Sequence, residues 1–225
     1  MWRYEKLNTK GGGNPDGKET DGLDQERNYF KRQKARRNRI RQLVCTNFDS
    51  GSKFVTLTFD NQRDFDITDV KSCNRYFMKF ILRLRYRYPE LKYVAVIEFQ
   101  DKNGRGAVHY HMICNLPFVK KSELQEIWRG GFVKINRIDK VDNVGAYVIK
   151  YMCKDTEDKR LCGENAYLHS RGLAEPTQIC TWRTPPDEWR PIHEALESET
   201  PSYSAKYESE YAGAIEYMQY NFNRK

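Results

Sequence analysis

The order of short apolar stretches between residues 54 and 138 constrains the fold of this chain more than any other feature. Four stretches have the composition and alternation of strands, and they occupy residues 54–59, 93–99, 107–115 and 131–138. Residues 67–88 and 120–129 instead place their apolar side chains on one helical face. The resulting order βαββαβ predicts an α+β fold of the RRM or ferredoxin-like kind, with a central antiparallel sheet and helices on one of its faces. A further helix, predicted over residues 143–154, carries two tyrosines and follows this core.

The segments on either side of this core have a different composition. Residues 1–26 include a glycine-rich stretch with Asn, Pro and Asp, so we expect a flexible N-terminal segment. Residues 27–176 form the predicted main domain, which begins with a basic helix. Residues 177–225 are expected to be a tail whose acidic, tyrosine-rich end, residues 203–222, forms a helix.

Composition excludes several classes of protein. A chain of 225 residues with 39% hydrophobic content can bury a core. No stretch has the length and apolarity of a transmembrane segment or a secretory signal, so no membrane partner is expected. The six cysteines show no C-x-x-C spacing, which favours reduced thiols in a cytoplasmic protein. Residues 12–18 resemble the start of a phosphate-binding loop, but Glu19 stands where Ser or Thr would bind magnesium, so no nucleotide hydrolase is predicted.

The formal net charge of +8 is concentrated in one segment. Residues 27–41 contain eight cationic side chains and no acid. Such a density on a helix is self-repelling unless an anion lies beside it, and the commonest long anion is a nucleic-acid backbone. The alternative is a basic face that only contacts water. The side chains that we expect to bind DNA are Arg32, Lys34, Arg36, Arg37, Arg39 and Arg41.

Two of the four histidines lie in one tripeptide, His109-Tyr110-His111, within a predicted strand. Side chains alternate along a strand, so the two imidazoles project from one face while Tyr110 points to the other. Two neutral imidazoles at this spacing can bind one divalent metal ion. The alternative is a pair of hydrogen-bonded histidines on a half-buried strand.

Glu98 is the candidate third ligand. It lies in the strand that precedes the histidine strand, and the short turn between them predicts that the two strands are hairpin neighbours. If Glu98 shares the histidine face, one carboxylate and two imidazoles form an open three-ligand site. Its alternation with Val94 and Val96 leaves open that it is buried, paired or exposed to solvent instead.

The predicted helix over residues 143–154 carries a second group of reactive side chains. Tyr147 and Tyr151 are four residues apart and lie on one helical face, while Lys150 and Lys154 each follow a tyrosine by three residues. A phenol is a poor nucleophile at neutral pH, and nearby cations favour the reactive phenolate. The spacing alone also fits tyrosines that pack in a core or on a surface.

Taken in order, residues 54–59, Glu98, residues 109–111 and the tyrosine helix resemble the HUH endonuclease superfamily. The similarity spans about residues 30–176 and is greatest to the rolling-circle replication initiators of phages, prophages and plasmids that use two tyrosines. Tyr110 departs mildly from the bulky hydrophobe that these enzymes have between their histidines.

The resemblance implies a metal-dependent endonuclease that nicks single-stranded DNA and joins it again. His109, His111 and Glu98 would bind Mg²⁺ or Mn²⁺, and Tyr147 or Tyr151 would form a 5′-phosphotyrosine link, assisted by Lys150 and Lys154. The implied partners are single-stranded or supercoiled origin DNA and, because no helicase motif is present, a host helicase and replication machinery in the bacterial cytoplasm.

Other interpretations fit parts of the sequence. A relaxase or a single-strand transposase would use the same chemistry. A non-catalytic nucleic-acid-binding module of the RRM kind would keep exposed aromatic residues on its strands and need no metal. A structural metal protein is disfavoured, because two His and one Glu leave a coordination position open. Trp128 and Phe132 are candidates for base stacking, but we expect them to pack in the core.

Overall fold

The computed structural model describes residues 2–4, 22–101, 104–138, 158–161, 163–165, 167–177, 186–209 and 213–220. The chain divides into two compact units, one formed by residues 24–176 and the other by residues 1–23 with 177–225.

The larger unit has the predicted α+β architecture. Its described helices and strands, in chain order, are α1 (Gly22–Asn47, which begins in the other unit), β2 (Lys53–Phe59), α2 (Val70–Arg87), β3 (Tyr93–Gln100), β4 (Ala107–Cys114), α3 (Lys121–Trp128), β5 (Gly131–Arg137) and β6 (Tyr167–His169). The five strands form one sheet in the order β5-β2-β4-β3-β6, and every neighbouring pair is antiparallel. Strands β2 to β5 with α2 and α3 therefore give the ferredoxin-like βαββαβ core.

Helix α2 shows how local chemistry fixes an element boundary that periodicity alone misplaces. It begins at Val70 rather than at residue 67, because the Asp69 carboxylate accepts a hydrogen bond from the Ser72 backbone N–H at 2.9 Å and so caps the helix. It ends at Arg87, two residues before Pro89.

One face of the sheet forms the main hydrophobic core with α2 and α3. Phe77 of α2 stacks on Tyr110 of β4 with ring centroids 4.4 Å apart, and Trp128 of α3 packs against Phe59 at 5.0 Å. The buried Tyr110 hydroxyl donates a hydrogen bond to Asn74 Oδ1 at 2.7 Å, so its polar end is satisfied. The predictions that Tyr110 points into the core and that Trp128 packs there are both confirmed.

The opposite face of the sheet is partly covered by α1, which the strand and helix pattern did not predict. Ile40, Leu43 and Val44 of this helix are buried in a second cluster with apolar residues of three strands. The Asn47 side chain secures the end of the helix, because its amide donates to the Ala174 carbonyl at 2.9 Å and its oxygen accepts from the Ala174 N–H at 2.8 Å. The basic helix is therefore a structural layer as well as a charged surface.

The smaller unit contains three strands, β1 (Trp2–Tyr4), β7 (Tyr203–Ser209) and β8 (Gly213–Gln219), and a helix, α4 (Pro186–Glu197). The strands form a sheet of order β1-β8-β7. The predicted helix over residues 203–222 is wrong, since β7 and β8 pair as antiparallel strands over this region. The reason is that Tyr203 and Tyr207, four residues apart, share a face in a strand as well as in a helix. Strand β1 lies within the N-terminal segment for which flexibility was expected.

Among the described residues, no helix combines the length and the apolarity that crossing a bilayer requires.

Candidate metal and nucleic-acid site

The strand register places the predicted ligands on the face of the sheet opposite α2 and α3. His109 of β4 lies directly between Thr58 of β2 and Glu98 of β3. His111 occupies the next row on the same face, between Thr56 and Val96. Directly opposed residues of antiparallel strands project to the same side, so the prediction that Glu98 shares the histidine face is confirmed.

His111 is held on both sides of its ring. Its Nε2 is hydrogen-bonded to Glu98 Oε2, and its Nδ1 lies 3.2 Å from the Thr56 hydroxyl. The ring also stacks on Phe54, with centroids 5.7 Å apart and planes inclined by 16°. These contacts leave the imidazole little rotational freedom, which is the condition for a preorganised ligand.

His109 has a parallel set of contacts. Its Nδ1 lies 3.5 Å from the Thr58 hydroxyl and its Nε2 2.8 Å from Gln100 Oε1. The same Gln100 oxygen accepts a hydrogen bond from Arg105 Nη1 at 2.6 Å. A guanidinium can only donate, so this oxygen is an acceptor and the His109 Nε2–H donates to it.

The environment of His109 favours its neutral form. Burial lowers the pKa of His109 to about 4, and the nearby His111 acts in the same direction. Glu98 opposes this shift in pKa, while Arg105 adds to it. At neutral pH the imidazole is therefore uncharged, which is the state that binds a metal ion.

The donor set fits a divalent cation, although its members now bond to one another. Among the described residues, no three His, Cys, Asp or Glu side chains are arranged to hold a metal ion as they stand. The Glu98 oxygen bonds to His111 Nε2, one of the atoms that would coordinate a metal. Two imidazoles and one carboxylate nevertheless match the ligands of Mn²⁺-type sites, and the threonine hydroxyls can accept the Nδ1 protons of metal-bound imidazoles.

The predicted nucleophiles lie elsewhere in the chain. Tyr147, Tyr151, Lys150 and Lys154 are all outside the described residues, so their relation to the histidine face stays a prediction.

The cations of α1 differ in their surroundings. Arg32 and Lys34 are exposed, whereas Arg36, Arg37, Arg39 and Arg41 are half-buried. Arg39 forms an ion pair with Glu175 and interacts with Tyr167, which ties this part of the helix to the segment around β6. Of the six predicted DNA contacts, Arg32 and Lys34 present the most accessible charge.

Several residues of the histidine face were missed by sequence reasoning. Gln100 orients His109, and Thr56 and Thr58 contact the two rings. The alternation of Thr56 and Thr58 with apolar residues in β2 was the available signal, because it places both hydroxyls on one face. The expectation that Phe132 packs in the core is wrong, since its side chain is 52% exposed and it lies across from Thr58 on the same face.

Comparison with known proteins points to replication. Residues 52–156 match the model of a family of replication-associated proteins, the ORF2 family. This segment includes the whole row of Thr58, His109 and Glu98. No curated protein matches the chain.

One solved structure is similar over part of the chain. It is the crystal structure of the hypothetical protein ORF119 from Sulfolobus islandicus rod-shaped virus 1, with 18% identity, a TM-score of 0.38, and coverage of 54% of this chain and 94% of that chain.

Proposed function

We propose that this chain initiates rolling-circle replication as a metal-dependent, site-specific endonuclease and strand transferase of the HUH type, acting on single-stranded origin DNA. One observation carries the proposal: His109, His111 and Glu98 share one sheet face, inside the segment that matches the replication-associated family. Neither a purely structural strand nor a simple basic surface requires this set of ligands.

Mg²⁺ or Mn²⁺ is the proposed cofactor, and His109, His111 and Glu98 are its proposed ligands. When bound, the ion would stabilise negative charge on the non-bridging oxygens of the scissile phosphate. The neutral His109, the Thr56 and Thr58 hydroxyls and Gln100 prepare the protein side of this site.

The proposed covalent step is a transesterification. The Oη atom of Tyr147 or Tyr151 loses its proton and forms a bond to the phosphorus, while the bond from phosphorus to the 3′ oxygen of the preceding nucleotide breaks. The 3′ oxygen takes up a proton and leaves as a hydroxyl that can prime DNA synthesis. Lys150 and Lys154 favour the phenolate by their charge.

Because one phosphodiester replaces another, the step is reversible without an external energy source. A 3′-hydroxyl can attack the phosphotyrosine and restore a continuous strand. With two tyrosines, one can hold the first 5′ end while the other cuts the copied origin. A host helicase or a supercoiled origin would supply the single-stranded region.

A non-catalytic nucleic-acid-binding module is the second candidate. Two observations favour it: the histidines and Glu98 are held by hydrogen bonds within the protein as they stand, and Phe132 is an aromatic residue exposed on a strand. A relaxase or transposase would share the catalytic proposal and differ in its DNA substrate.

The decisive experiment incubates the full chain with labelled single-stranded origin DNA and Mn²⁺ or Mg²⁺, and detects covalent adducts on denaturing gels. We expect an adduct with the wild type and with at least one of Tyr147→Phe and Tyr151→Phe, and none with the double variant. An adduct that persists in the double variant contradicts the tyrosine assignment.

The metal ligands are tested in the same assay. The double variant His109→Ala, His111→Ala should form no adduct while it retains salt-sensitive DNA binding. If the wild type binds DNA tightly but forms no adduct with any origin in either metal, the non-catalytic module is the better description.

A further inference from the structure

Phe132 is an exposed aromatic ring on the face that carries the histidines. It lies on β5, which forms one edge of the described sheet, directly across β2 from His109: Phe132 pairs with Thr58, and Thr58 pairs with His109. With adjacent strands about 4.8 Å apart, the backbones at Phe132 and His109 are separated by about 10 Å. Its neighbour Val133 is completely buried on the other face, so the strand orientation is fixed by the core.

Exposure of this ring has no structural explanation in the fold. A phenylalanine that is 52% exposed contributes little to the core, and β-strand propensity alone would be met by threonine or valine. Most of the fully buried aromatic residues of this unit, including Phe59, Phe77 and Trp128, lie on the opposite face. The ring at 132 is therefore available for an external contact.

The surroundings of Phe132 are cationic. The Lys121 ammonium lies 4.2 Å from the centre of the ring, and Lys134, exposed on the same strand and face, occupies the row of Thr56 and His111. Strand β5 contains Lys134 and Arg137 and no acidic residue. An exposed ring beside cations is the combination with which proteins bind single-stranded nucleic acid, since the ring stacks on a base and the cations contact phosphates.

We propose that Phe132 stacks on a base of the single strand that occupies the histidine face, and that Lys134 and Lys121 contact the phosphates on either side of it. This inference rests on the proposed function for the identity of its ligand, single-stranded DNA. It adds a path for the strand: from the ligand row at His109 across β2 to the edge strand β5.

The stacking contact favours a single strand over a duplex or a protein partner. The faces of bases are covered by their neighbours in a duplex, whereas an unpaired base can leave its stack and pack on a ring. The cations around the ring match a phosphate backbone. A protein partner would have to be acidic as well as apolar at this point, and its binding would not depend on a single base.

The test measures binding rather than cleavage. Fluorescence anisotropy of labelled single-stranded origin DNA, in EDTA, gives the Kd of the wild type, Phe132→Leu and Phe132→Trp. Leucine keeps the apolar volume and removes the aromatic face, and we expect the Kd to rise at least about fivefold. Tryptophan keeps a stacking surface and should bind with a Kd close to that of the wild type.

Tyr86→Leu is the matched control. Tyr86 is 91% exposed but lies on α2, on the other side of the sheet, so its loss should leave the Kd unchanged. Lys134→Gln should weaken binding and reduce the slope of log K against log salt by about one.

Abasic substitution locates the contact along the DNA. When each base is removed in turn, the wild type should lose affinity at one position at which Phe132→Leu loses little, because the base and the ring contribute through one shared contact. A duplex of the same sequence should show no dependence on Phe132.

The outcomes separate this inference from the proposed function. If Phe132→Leu and the wild type bind single-stranded DNA with the same Kd, the stacking proposal is overturned, whether or not the protein nicks DNA. If the stacking results hold but no covalent adduct forms, the endonuclease proposal fails and the binding subsite stands. If the wild type does not bind single-stranded DNA at all, both proposals fail.

Discussion

Glu98 lies directly across the antiparallel ladder from His109, yet its carboxylate hydrogen-bonds to the diagonal neighbour, His111. One carboxylate therefore connects to both histidine rows of the sheet face. A metal ion at this place would replace the hydrogen bond between Glu98 and His111 with two coordinate bonds. The exchange costs little reorganisation of the strands, because all three side chains already project from the same face.

The first prediction concerns this carboxylate. Glu98→Gln removes the negative charge and keeps the shape, so we expect Mn²⁺ to bind at least about tenfold more weakly. Isothermal titration calorimetry with Mn²⁺ on the full chain measures the change. The matched control is Glu90→Gln, which removes an exposed carboxylate from the turn before β3 and should leave the affinity for Mn²⁺ unaltered. Equal affinity in the wild type and Glu98→Gln would exclude Glu98 as a ligand.

The second prediction concerns stability against pH in the absence of metal. Burial holds the pKa of His109 at about 4, whereas a histidine in the unfolded chain has a pKa near 6.5. Between these values the unfolded state binds more protons than the folded state, so the free energy of unfolding must fall as the pH decreases through this window. Because the ring is partly exposed, solvent screening reduces the contribution to about 1–2 kcal/mol.

Urea denaturation in EDTA at pH 7 and at pH 4.5 measures this effect. In His109→Gln the loss of stability over this interval should be smaller than in the wild type by about 1–2 kcal/mol. The exposed His169, replaced by Gln, serves as a comparison. An identical pH dependence in the wild type and His109→Gln would show that this histidine titrates normally.

The third prediction separates two kinds of cation on α1. Arg32 and Lys34 are exposed, so Arg32→Gln with Lys34→Gln should weaken DNA binding and lower the salt slope by about two, with little change in stability. Arg39 is bound to Glu175, so Arg39→Gln should lower thermal stability and change the salt slope less. Anisotropy titrations between low and moderate salt, with thermal unfolding of each variant, distinguish the two results.

The fourth prediction concerns the turn between α3 and β5, which positions the edge strand. Gly131 has a φ of 139°, and a Cβ at this residue would lie 2.5 Å from the Asp60 nitrogen and 2.7 Å from the Thr58 oxygen. Gly131→Ala should destabilise the fold by about 2 kcal/mol or more, since both contacts are with backbone. Gly104 also has a positive φ, of 69°, but open space around it, so Gly104→Ala isolates the backbone cost. Denaturant unfolding should show the larger loss for Gly131→Ala.

Much of the fold was determined by local patterns that survive in a linear sequence. Alternation in β2 and β4 and the apolar face of α2 follow from how each element buries one side, so the order βαββαβ could be derived without long-range information. The same alternation put His109 and His111 on one face and Tyr110 in the core. Tyr203 and Tyr207 mark the limit of this reasoning, because a spacing of four residues is shared by helices and strands.

Other features depend on contacts between residues far apart in the chain, and only the tertiary structure decided them. Glu98 meets both histidine rows because the register of β3 against β4 sets it opposite His109. The half-buried cations of α1 follow from its packing on the sheet, and the exposure of Phe132 follows from the edge position of β5. The sequence by itself thus determined which side chains share a face, because periodicity is a property of each strand. Which faces meet, and which residues remain open to a ligand, was decided by strand register and by the packing of α1, which depend on interactions that no single segment contains.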